Sequence, residues 1–139
     1  MEVSKGDLES LSDARLQEAT LLYQNGRHSG AYYLAGYAVE LAIKACIAKH
    51  IRTGFIPDRS FIHKVYQHRP EELIGLAGLK DALNDDIKKD PQLGGNWGIV
   101  CNWSEESRYS PWDAINAAAL ISAIADPIHG VLQWLKKYY

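Results

Sequence analysis

Ala31-Tyr32-Tyr33-Leu34-Ala35-Gly36-Tyr37-Ala38-Val39-Glu40-Leu41-Ala42-Ile43-Lys44-Ala45-Cys46-Ile47-Ala48 is rich in Ala, Leu and Ile, holds no proline and carries only two charges. Widened to Ser29–His50, the run predicts one helix of about 22 residues, ~33 Å long at ~1.5 Å per residue. Ala31, Ala35, Gly36, Ala38 and Ala42 keep part of its surface thin, so neighbouring helices can approach at the short end of the usual ~8–10 Å. A central helix of this kind demands a packed bundle around it. Glu40 and Lys44 lie mid-span, where lipid would penalise them, so no membrane crossing is expected.

Working outward, Leu8, Leu11, Leu16, Ala19, Leu22 and Tyr23 recur at roughly helical spacing until Asn25-Gly26 stops the run. Thr53-Gly54 and Pro57-Asp58 mark a turn. Phe61, Val65, Leu73, Leu76, Leu79 and Leu83 then predict two short helices, divided near Pro70 or Gly75–Gly78. Residues 90–110 are Gly- and Asn-rich and read as a long aperiodic loop. Ser110-Pro111-Trp112-Asp113 combines a capping Ser, a first-turn Pro and an acid three residues on, so the last helix is expected to start there. Ala117, Ile121, Ile124, Ile128, Val131 and Leu135 lay one apolar stripe along it, with a kink at Pro127. No period-two alternation or internal repeat occurs. The expectation is an all-α up-and-down bundle of four to five helices, one domain over residues 1–139.

With 47% hydrophobic and 23% charged residues, the composition excludes disorder as the main state, and a net charge of −2 excludes a general DNA-coating protein. Cys46 and Cys101 form no Cys-x-x-Cys pair, and the residues Met1–Asp7 show no apolar export signal, so a cytoplasmic protein without disulfides is expected. Charge is nevertheless uneven. Between Leu41 and Pro70 the bases Lys44, Lys49, Arg52, Arg59, Lys64 and Arg69 face one acid, Asp58. Such a segment reads either as an anion site for a nucleotide or RNA, or as a solvated turn and short helix.

Motifs for other chemistry are missing. His63 and His68 are five apart, about 140° around a helix, and no second His/Asp/Glu pair sits at ligand spacing, so neither metal nor cofactor is expected. There is no Gly-x-Ser-x-Gly and no Gly-x-x-x-x-Gly-Lys. Cys46, inside an apolar helix, reads as an inert core thiol. Glu40 needs a partner if buried. Lys44 stands one turn on, while Arg108 can take both carboxylate oxygens, and a Glu40–Arg108 contact tying the loop to the core is the expected arrangement.

The stretch from Glu18 through Tyr32-Tyr33-Leu34-Ala35-Gly36 to Glu40 and Lys44, followed by Phe61-Ile62-His63 and then Ser107-Arg108-Tyr109 before an Ala-rich last helix, resembles the HEPN domain family across nearly the whole chain. The resemblance implies a helical bundle, often dimeric and often paired with a minimal nucleotidyltransferase, as in toxin–antitoxin systems. Many members cleave RNA without metal, using Arg, four to six residues, then His near the start of the last helix. Arg108 takes the Arg position, but Asp113, Ala114 and Ile115 stand where His should be. Without an imidazole no group near neutrality is placed to move the 2′-OH proton.

The leading expectation is therefore a non-catalytic, dimeric module that binds a nucleotide, RNA or a nucleotidyltransferase partner, with Arg52, Arg59, His63, Lys64, Arg108 and Tyr109 facing the anion. The alternative is a metal-independent ribonuclease with a displaced pair, in which His63 is the base and Arg59 or Arg108 steadies the phosphate. A third reading is a protein-interaction module in which Trp97, Trp103 and Tyr109 meet a partner, set against the same tryptophans plugging the end of the bundle.

Overall fold

A computed structural model describes residues 2–139, and among them every regular element is helical. Helix α1 spans Lys5–Gln24. Ser4 Oγ accepts from the Asp7 amide at 3.1 Å while the Asp7 carboxylate accepts from the Ser4 amide at 2.9 Å, a reciprocal cap; the Ser4 hydroxyl, first, and then that amide hold the Asp7 carboxyl below its usual range. The helix stops at Asn25, and Gly26 takes the left-handed conformation (φ 74°) that turns the chain back. Helix α2, His28–Ala48, is the central element. Ala31, Ala35, Ala38 and Ala42 are completely buried, and the Ser12 hydroxyl of α1 donates to the Ala38 carbonyl at 2.7 Å, as the thin surface allows. By length and mean hydropathy α2 alone could cross a bilayer, but most of it is enclosed by the rest of the fold.

The region after α2 divides more finely than the two helices expected. Asp58 caps α3 (Arg59–Val65), Pro70 opens α4 (Pro70–Leu76), and Gly78 (φ 72°) turns the chain into α5 (Lys80–Lys89). Both anticipated break points are used, so three helices result.

Residues 90–110 are not a loop. Asp90 Oδ1 accepts from the Leu93 amide and Pro91 occupies the first turn of α6, Pro91–Cys101. Leu93 and Val100 are buried and Trp97 packs against the core, a helical stripe at i, i+4 and i+7 carried by only three residues. The glycines between them hide that stripe without breaking the helix. One of them, Gly94, lets α6 close on α5, since a Cβ there would stand 2.8 Å from Ile87 Cγ2. A short 3-10 turn follows at Glu105–Tyr109.

The last helix is also corrected. Its cap is Asp113, whose Oδ1 accepts from the Asn116 amide at 2.8 Å, and not Ser110; α7 runs Ala114–Ala125. Residues 110–112 stay outside the helix, where the Ser29 hydroxyl takes the Trp112 amide at 2.9 Å and the Trp112 ring stacks on Tyr32 at 3.8 Å. At Pro127 the helix ends instead of kinking. Asp126 accepts the amides of Ile128 and His129, and Gly130 fits where a Cβ would lie 2.3 Å from the Asp126 carbonyl, before α8 (Val131–Lys136) begins. Ala117, Ile124, Val131 and Leu135 of the expected stripe are buried, but Ile128, in the break, is exposed. The all-α class stands, but among the described residues eight α-helices, not the four to five expected, surround one core that draws on α1, α2 and α4 to α8, because the Gly- and Pro-marked breaks divide the second half of the chain into short helices.

Candidate functional site

Helix α2 supplies the floor of the site. Glu40 is 2% exposed, and its carboxylate is shared: Oε2 takes Lys44 Nζ at 3.3 Å and Oε1 lies 2.8 Å from His68 Nδ1. Lys44 is thus a partner, as one turn of helix permits. The Glu40–Arg108 contact is not made. His68 takes the second carboxylate oxygen, because the segment between α3 and α4 brings its ring to the side of α2 that Arg108 was expected to reach. The other ring nitrogen, Nε2, lies 3.1 Å from Glu105 Oε2, so this imidazole links the core helix to the 3-10 turn. In the sequence His68 is weighed only as a metal ligand beside His63, and Glu105 does not stand out. The available signal was the burial of Glu40 together with the density of histidine in the basic segment.

Arg108 and Tyr109 sit at the end of that 3-10 turn, both exposed, with the guanidinium 4.8 Å above the Tyr109 ring. The neighbouring hydroxyls of Tyr109 and then Tyr33 push the guanidinium pKa up, against slight desolvation, so its charge is permanent. Among the described residues it forms no ion pair with a carboxylate. Tyr33 is parallel to Tyr37, one turn along α2 (centroids 6.2 Å apart), and stacks on Trp103 at 6.0 Å. Trp103 is 1% exposed and lies flat on Gly36, where a Cβ would come within 2.3 Å of the indole. It plugs the bundle; Trp97 is half-buried against the same core.

The basic segment is dispersed. Arg52 projects from the turn after α2 over the Phe55 ring at 4.7 Å and, with His50, Ile51 and Phe61, lines an apolar cavity of about 300 Å³. Arg59 and His63 share helix α3 at i, i+4, and both are exposed, as is Lys64. His63 lines a different cavity of about 380 Å³ with His68, Arg69, Glu72, Glu105 and Glu106. Three carboxylates there oppose a phosphate. Arg108 lines neither cavity. Among the described residues no three His, Cys, Asp or Glu side chains cluster as metal ligands. Burial pushes the Cys46 thiol up to about 11 and the Cys101 thiol to about 12, which keeps both protonated and unreactive at neutral pH.

The paired helices α1 and α2, the buried Glu40–Lys44 pair and the helical segment after them coincide with a family pattern: the model of the HEPN domain matches residues 10–90, more than half of the chain. The protein belongs to the HEPN domain family. The matched span runs from within α1 to the end of α5, with Glu40, Lys44, Arg52, Arg59, His63, Lys64 and His68, and it ends before Arg108. No curated protein and no solved structure shows significant similarity to this HEPN chain. Membership places the protein in nucleotide- and RNA-related biology in general.

Proposed function

We propose that this HEPN domain is a non-catalytic, dimeric module that binds an anionic ligand of the nucleotide or RNA class through Arg108 and Tyr109. The observation that carries the reading is Arg108 itself. It is exposed, charged at any physiological pH and, among the described residues, free of carboxylates, and it stands against an aromatic ring that is 77% exposed, a combination suited to a phosphate with a base beside it. The positions where a ribonuclease of the family would place its imidazole are committed elsewhere. Asp113 caps α7, while Ala114 and Ile115 begin that helix and bring no titratable group. Arg52, Arg59, His63 and Lys64 extend the positive surface but do not share a cavity with Arg108, so they add long-range attraction to an anion more than direct contact. A nucleotidyltransferase partner, as in a toxin–antitoxin pair, would meet the same face.

The test is labelled mixed RNA in EDTA with the purified protein, followed for gel retardation and for cleavage. Retardation without cleavage, abolished by Arg108→Ala, is expected, with a dimer by light scattering. Cleavage lost in His63→Ala or Arg108→Ala would replace this reading by a ribonuclease with a displaced pair. Neither retardation nor cleavage would move the ligand to a protein partner.

A further inference from the structure

His68 meets two carboxylates at once, Glu40 through Nδ1 at 2.8 Å and Glu105 through Nε2 at 3.1 Å. An ionised carboxylate only accepts hydrogen bonds, so both ring nitrogens must donate. The imidazolium satisfies that requirement, and neither neutral tautomer does. When the proton leaves, one contact has to open. Glu40 is buried, and stripping it of a donor would leave a carboxylate under-satisfied away from water. The Glu105 side chain is 44% exposed and can turn to solvent at small cost. The contact that opens is therefore Glu105's.

Glu105 and Arg108 are three apart in the 3-10 turn, and side chains at i and i+3 of such a turn eclipse. A Glu105 carboxylate released by His68 finds the Arg108 guanidinium on its own face, with no competing acid partner among the described residues. We propose that His68 is a positioning residue for the anion site: protonated, it holds Glu105 off Arg108 and leaves the guanidinium open; neutral, it lets Glu105 close on Arg108 and compete with the ligand. The ligand-binding half of this statement rests on the reading of Arg108 given above, whereas the transfer of Glu105 does not. The other charged or titratable groups around His68 are Lys44 of α2, taken up by Glu40, Tyr37 of the same helix beside Glu40, His63 of α3, Tyr66 just after it, the adjacent Arg69, Glu72 of α4 and Glu106 of the 3-10 turn. Among them His63 is the other imidazole of the same cavity, so it supplies the control.

The experiment follows the Arg108 Nε–H resonance of the ligand-free protein from about pH 5.5 to about pH 8, the range in which histidines titrate. In parallel it measures the affinity for a fluorescein-labelled oligouridylate. In the wild type and in His63→Gln the resonance should move with one histidine-range titration, and in His68→Gln and Glu105→Gln it should stay still. Wild-type affinity should fall about two- to five-fold across that range, as competition from an exposed ion pair allows. Glu105→Gln should keep its tighter binding throughout. An Arg108 resonance that does not move in the wild type, or that moves equally in Glu105→Gln, overturns the proposal. Should Arg108 titrate as expected while the oligonucleotide binds at no pH, the Glu105 transfer stands and the anion-binding reading of Arg108 fails.

Discussion

The α1–α2 pair and the stretch from Asp90 to Asp113 are both essential walls of the same core, but they are held in opposite ways. Helices α1 and α2 meet through many small residues, among them Ala19, Ala31, Ala35 and Ala42, all fully buried, with a single buried polar tie from Ser12 to the Ala38 carbonyl. The 90–113 stretch hangs on one large anchor, Trp103, and on side-chain bonds to backbone: Asp90 to the Leu93 amide, Asn96 to the His129 carbonyl, Trp112 to the Ser107 carbonyl and Ser29 to the Trp112 amide. Stability is spread thinly in the first region and concentrated in the second. Single substitutions should reveal the difference.

The largest loss is expected for Trp103→Ala. Removing a fully buried indole typically costs about 3–5 kcal/mol, and the space beneath it is already as small as Gly36 allows. Trp103→Phe should cost much less, because the indole N–H has no acceptor where it lies and its loss leaves no partner stranded. Gly36→Ala attacks the same contact from the α2 side by overpacking and should cost about 1–3 kcal/mol. Urea denaturation of the three variants measures this directly. In the α1–α2 interface the most disruptive polar deletion, Ser12→Ala, should cost only about 1 kcal/mol, the net worth of one hydrogen bond. Equal losses for Trp103→Ala and Ser12→Ala would erase the distinction between the two regions.

The same contrast governs what could be read from the residues alone. In α1 and α2 the packing signal is local and repeated, so the helices, their Asn25-Gly26 boundary and the buried alanines are legible directly. In the 90–113 stretch the structural residues are single and unrepeated, some of them set around Gly94, Gly95 and Gly98, and their partners are distant: Trp103 with Gly36, Asn96 with His129, Trp112 with Ser29. Glycine lowers helix propensity, and tertiary contacts overrule it here. The site divides in the same manner. The Glu40–Lys44 pair is one helical turn long and legible, whereas the Glu40–His68–Glu105 bridge joins three separate parts of the chain and is not.

If glycine is only tolerated in α6, removing it where space is open should help. Nothing lies within 4 Å of the position a Cβ would take at Gly95. Gly95→Ala should therefore raise stability by about 0.5–1 kcal/mol, the usual helix-interior difference between the two residues. A destabilised variant would mean that α6 depends on glycine at that position for a reason other than space. Gly94→Ala serves as the contrast, since its Cβ would press on Ile87 and the gain should vanish.

The smallest effect compares the two capping acids. His129, first, and the Leu93 amide hold the Asp90 carboxyl below its ordinary range, and Ser4 does the same for Asp7. In both cases the native state binds the proton less readily than the unfolded chain. The stabilisation is therefore complete above the unfolded carboxylate pKa and is lost as pH falls through the lowered native value. Asp90→Asn and Asp7→Asn should each lower the melting temperature slightly at neutral pH, and each gap to the wild type should close on acidification. Their reach should differ. Asp7 bonds only to Ser4 at the start of its own helix, whereas Asp90 also holds His129, 39 residues away, at 2.7 Å. Hydrogen exchange in Asp7→Asn should accelerate only in the first turn of α1, but in Asp90→Asn it should accelerate together at the start of α6 and in the turn before α8. Acceleration confined to α6 would show that the His129 contact adds nothing to the cap, and that this stretch is anchored more locally than its long-range bonds imply.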